Sequence, residues 1–161
     1  MTFKSKNSVK KSILFSLLLL LSCEINAQIF KDKYIKDATK VANIWLDNIN
    51  SNKYELAYSD LSTLFKENND STQWVQAFDI IMKEFGSFEK REIISQEFKS
   101  NIENLGDGFY VFIEYKSYYK NLPNCSENLI LHQNDQIVWK VLDYKYWHDS
   151  QEFAPKEKSP N

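Results

Sequence analysis

The chain has 161 residues, with 20 lysines and arginines against 22 aspartates and glutamates, two cysteines, two histidines and three glycines. A length and charge of this kind suit one domain and give no electrostatic reason to expect nucleic acid or an anionic membrane as a partner. Two cysteines cannot build a disulfide-stapled scaffold, and so few glycines leave no phosphate-cradling loop.

The first segment reads as an export signal. Lys4, Lys6, Lys10 and Lys11 precede the apolar run from Ile13 to Leu21, which is too short for a comfortable permanent span. Two endings compete. Ile25-Asn26-Ala27 before Gln28 has the small last residue of a cleavage site, which makes 1–27 a signal peptide and the product periplasmic or secreted. Leu20-Leu21-Ser22-Cys23 resembles a bacterial lipobox, in which Cys23 becomes lipidated and anchors the chain to the cell envelope. Only that second route brings the protein to a membrane. Cleavage after Ala27 removes four lysines and Glu24, leaving a mildly acidic domain whose single cysteine is Cys125. Cys125 is expected at a strand edge, with an intermolecular disulfide as the alternative to a plain small residue.

Helical periodicity follows. Ala38, Val41, Ala42, Trp45, Leu46 and Ile49 share one face, with Asp37, Lys40, Asn43 and Asp47 opposite. After Asn50-Ser51-Asn52, a second helix carries Tyr54, Ala57, Tyr58 and Leu61, and Leu64 and Phe65 continue its buried side. A third carries Trp74, Phe78, Ile81, Met82 and Phe85; Asp70 and Gln73 are placed to cap its start and Gly86 to stop it. Asp70-Ser71-Thr72 also resembles a short O-glycosylation acceptor, although helix capping accounts for the same residues.

Beyond Gly86 the period changes to two. Strands are predicted over Glu89 to Phe98, over the alternating stretch around Phe109 to Lys116, over Glu127 to Gln133 and over Gln136 to Trp147. Leu122-Pro123-Asn124 reads as a break and Asn134-Asp135 as a tight turn. The expectation is an α+β fold, three N-terminal helices packed on a four-stranded antiparallel sheet, spanning 28–148 and followed by a frayed tail at 149–161.

Ala42, Trp45-Leu46, Tyr54, Trp74, Phe85-Gly86, Arg91, Glu127 and Trp139-Lys140-Val141 together resemble a bacterial family of exported proteins, domain of unknown function 4019. Its usual glycine near the final tyrosine is replaced by Asp143 before Tyr144. The resemblance implies a cone-shaped, cystatin-like fold of the nuclear-transport-factor-two type, with a curved sheet, and implies no activity.

Arg91 is the only arginine among 20 cationic residues, and a guanidinium is the group that holds a partly desolvated carboxylate by paired hydrogen bonds. Glu127 is the preferred partner, with Glu114 and Asp143 as alternatives, against the plain reading of a solvated surface arginine. Ligand-pocket candidates are Trp45, Tyr58, Arg91, Tyr115, Glu127 and Trp139, whose ordinary reading for the aromatic members is core. Tyr110, Phe112 and Tyr118 fall on the opposite strand face, which suits a homodimer surface through the sheet or cover from the tail. His132 and His148 read as strand-surface residues and show no metal-ligand spacing, so no metal or cofactor is expected. These features point to a non-enzymatic module for a small apolar ligand or an envelope protein. The alternative is a pocket enzyme pairing Glu127 or Asp143 with Tyr58 or Tyr115 for acid/base chemistry.

Overall fold

A computed structural model describes residues 29–103 and 105–148. The expected signal segment with Cys23 and Ala27, and the expected tail, lie outside the described residues.

Helix α1 covers 29–50 and therefore begins well before the predicted apolar face. Its earlier turns matter because the Tyr34 ring stacks on Phe98 and Phe109, at centroid separations of 5.4 and 5.1 Å. The expected face is the one buried, with Ala38, Ala42, Trp45, Leu46 and Ile49 inside. The helix ends in a Schellman arrangement: Lys53 N donates to Asn48 O, Asn52 N donates to Ile49 O, and Asn52 takes φ 58°.

What was predicted as one second helix is two. Helix α2 (Tyr54–Ser59) stops where Leu61 forms a parallel bridge to Val141, and α3 (Thr63–Lys66) restarts under the Ser62 cap. The split turns Leu64 outward to 50% exposure, correcting its expected burial, while Phe65 stays partly buried. Helix α4 (Ser71–Phe85) has the expected ends: Asp70 Oδ1 accepts from Gln73 N at 3.0 Å, and Gly86 takes φ 76°. Trp74, Phe78, Met82 and Phe85 form its buried face.

Strands β1 (Phe88–Ile102), β2 (Gly106–Tyr119), β3 (Leu122–Gln133) and β4 (Trp139–His148) form one antiparallel sheet in chain order. Leu122-Pro123-Asn124 therefore belongs to β3 rather than breaking the chain. Proline is tolerated there because the β2–β3 register shifts between Ser117 and Tyr119, so the ladder has no regular pair for Pro123 to disrupt. The β3–β4 connection is longer than the predicted tight turn. Asn134 organises it, its Oδ1 accepting from Gln136 N and Val138 N, with Ile137 at φ 63°.

The helices and one sheet face share a continuous core that includes Trp45, Trp74, Phe78, Ile113, Tyr115, Leu129 and Val141. On the other face, the residues read as a homodimer surface or as seats for the tail have neighbours within the sheet. Tyr110 is fully buried, stacked on His132 at 4.8 Å, and its hydroxyl donates to Leu105 O. Burial also lowers the His132 pKa, so this histidine is not a plain surface residue. Phe112 and Tyr118 are half-buried beneath the ammonium groups of Lys99 and Lys90. Cys125 is buried within the inner strand β3 rather than at an edge, and burial pushes its thiol up to about 12. That placement removes it from the reach of an intermolecular disulfide.

Candidate functional site

Strand register assembles the most unusual chemistry in the molecule. Arg91 on β1 stands opposite Ser117 on β2, and Glu127 on β3 stands opposite Tyr115, so Arg91, Ser117, Tyr119 and Glu127 fall on the helix-covered face. The bulge between Ile130 and Leu131 sets β4 so that Tyr144 reaches the same point.

Glu127 is fully buried and Arg91 is 9% exposed at its side chain. Arg91 Nε donates to Glu127 Oε2 at 2.7 Å and to Ser117 Oγ at 2.8 Å, while Nη2 donates to the Tyr119 hydroxyl at 2.8 Å. The hydroxyls in turn donate hydrogen bonds to the carboxylate. Ser117 Oγ donates to Oε2, and Tyr119 and Tyr144 donate to Oε1 at 2.9 and 2.6 Å. The carboxylate thus accepts four hydrogen bonds, about the capacity of its two oxygens. Glu114 and Asp143 lie elsewhere, the first bonded to Ser95 and the second paired with Lys145.

Burial alone would lower the Arg91 pKa, but the charge and hydrogen bond of Glu127 outweigh it and leave it raised. Tyr119 and Tyr144 are both held well above the ordinary phenol value, by burial first and then by the Glu127 charge. Tyr115 is pushed up to about 12 by burial. None of these phenols is primed to ionise near neutrality.

The six pocket candidates do not converge on one cavity. Trp45 is fully buried in the core and its Nε1 donates to Ala57 O at 2.9 Å; Trp139 is also core, edge-on to Tyr34. Tyr58 donates to Asn69 O and lines a separate surface pocket beside Ser71, Thr72 and Val75. Tyr115 donates to Asn43 Oδ1 on α1, not to Glu127. Arg91 and Tyr115 share a recess of ≈ 380 Å³ between α1 and β1 that also contains Asn43, Asp47, Phe88 and Ile93. Through Asn43, Asp47 and Ile93 it continues into a larger groove of ≈ 730 Å³, whose apolar lining is Ile35, Ile44 and Ile93. Ile44 and Ile93 are 49% and 45% exposed.

Ser117, Tyr119 and Tyr144 are the cluster members that sequence reasoning missed. Alternation did carry a signal for two of them, because Ser117 and Tyr119 follow Ile113 and Tyr115 at a period of two. Among the described residues no group of three or more His, Cys, Asp or Glu side chains is placed to hold a metal ion.

Helices laid on a four-stranded antiparallel meander, with an arginine–glutamate pair sealed between them, define a small α+β domain with a closed polar centre. The chain belongs to the family described as protein of unknown function (DUF4019), which matches residues 41–144 and so contains every member of that cluster. No curated protein matches it.

Proposed function

We infer that this is an exported, non-enzymatic binding module, seating a small, largely apolar molecule with one polar end in the groove between α1 and β1. The saturation of Glu127 carries this reading. A general base needs a free lone pair within reach of substrate, and all four acceptor positions of this buried carboxylate are occupied. The groove, in contrast, exposes isoleucines beside a polar rim and has the size of ordinary ligand sites. Four helices preceding an antiparallel meander support the cystatin-like, nuclear-transport-factor-two-type assignment.

Titration with the fluorescent amphiphile 1-anilinonaphthalene-8-sulfonate tests the seat. Saturable binding by the folded protein, weakened about tenfold by Ile93→Asp, is expected for loss of one apolar wall. Absence of saturable binding, or an unchanged affinity in a folded Ile93→Asp protein, contradicts it. Export rests on residues 1–27. An intact mass beginning at Gln28 supports release, whereas an acylated Cys23 at the N-terminus moves the same module to the membrane surface.

A further inference from the structure

The last turns of α1 and α4 and the start of β1 line a second, polar pocket of ≈ 890 Å³. Asn50 lies on its wall, and the Nδ2 and Oδ1 of this side chain are both buried and both without a hydrogen-bond partner. No other buried side chain among the described residues is in that state. The Schellman ending fixes the Asn50 backbone, and rotation of its side chain towards the pocket, onto a partner that both donates and accepts, would satisfy both atoms.

That requirement selects the ligand class. An ammonium or a metal ion offers nothing to Nδ2, and an anion offers nothing to Oδ1 while facing the carboxylates of Asp47 and Asp79. A hydroxyl does both. Asp47 makes no ion pair among the described residues, whereas Asp79 is held by Lys83 at 2.6 Å. Ser87 adds a hydroxyl, and Phe88, 36% exposed, adds an aromatic surface. Several small donors and acceptors spread beside an aromatic ring fit a ring bearing several hydroxyls better than a single planar amide.

We propose that this pocket binds a neutral saccharide, with two neighbouring hydroxyls on the Asn50 carboxamide, one on Asp47 and the sugar ring against Phe88. It adjoins the isoleucine groove, sharing Asp47 with it and Phe88 with the recess beside it, but Asn50 lines this pocket and not the groove, so the Asn50 reading does not depend on that one.

The test is titration of the purified, isotope-labelled protein with glucose, galactose, mannose and N-acetylglucosamine, followed through the Asn50 side-chain amide resonances. N-acetylalanine methylamide serves as a peptide-like control. Saturable movement of those resonances with at least one sugar is expected, with affinity reduced about tenfold or more in Asn50→Leu, since a site built around a polar contact loses it on truncation. Asp47→Asn supplies the same comparison if Asn50→Leu does not fold. Four sugars that leave the Asn50 amide unmoved, movement with the amide control alone, or sugar affinity unchanged in the folded variants overturns the proposal. Ile93→Asp is expected to leave sugar binding intact, because Ile93 lines the groove and not this pocket.

Discussion

Arg91 shows why one cationic position differs from the other 19. Its Nε and Nη2 address three oxygens on two neighbouring strands, which a single ammonium on a flexible stem cannot do in one plane. Arg91→Lys is accordingly expected to cost about 2 kcal/mol in urea unfolding, although charge is conserved. Glu127→Gln leaves the guanidinium buried without its counter-charge and should cost about 3–5 kcal/mol. Replacing the pair together, as Arg91→Met with Glu127→Leu, should cost less than the sum of Arg91→Met alone and Glu127→Leu alone, because each single change leaves the other ion buried without its counter-charge. A double-mutant cycle showing simple additivity would contradict the coupling. The raised thiol and phenols give a matching pH signature. A group with a raised folded pKa stabilises fully below its unfolded pKa and loses that contribution as pH rises towards the folded value. Cys125 should therefore begin to erode stability above about pH 9, and Tyr115, Tyr119 and Tyr144 should join above about pH 10. Three buried phenols correspond to a slope of about 4 kcal/mol per pH unit in urea titrations between pH 10 and about 12, and Cys125→Ala should remove the earliest limb alone.

The pairing of Arg91 with Glu127 was legible because a lone arginine on an early strand asks for a carboxylate on a later one. Tyr144 was not legible, since its arrival depends on the bulge at Leu142, the β4 residue left without a partner between the Ile130–Asp143 and Leu131–Val141 pairs. The same distinction holds for whole elements. Helix α4 could be read with both ends because capping is local: Asp70→Ala should cost about 1 kcal/mol. Gly86→Ala should cost about 1–2 kcal/mol, since φ 76° disfavours any Cβ and that carbon would meet Asn121 Nδ2 at 2.9 Å. Thermal denaturation of the two variants checks both. The α2–α3 split was hidden because a tertiary contact, the Leu61–Val141 bridge, overrides a continuous helical pattern. Tyr110 shows the same limit. It does lie on the outer face, as strand alternation places it, but alternation carries no information about His132 on the neighbouring strand.

Among the described residues, the Arg91–Glu127 cluster is closed inward while apolar surface is left open at the α1–β1 seam. The edge strand β1 belongs to both regions, since Arg91 is held by the central cluster while Ile93, two residues on, lines the groove. The cluster therefore holds the strand from which the groove is built, and a ligand in that groove need not touch Glu127. Native mass spectrometry of the protein isolated from its own compartment, compared with Ile44→Asp and Ile93→Asp proteins from the same source, tests this arrangement most directly. A small-molecule adduct present on the unaltered protein and absent from both folded variants is the expected result. Isolation without any adduct, or the same adduct retained at equal occupancy in both variants, would contradict it.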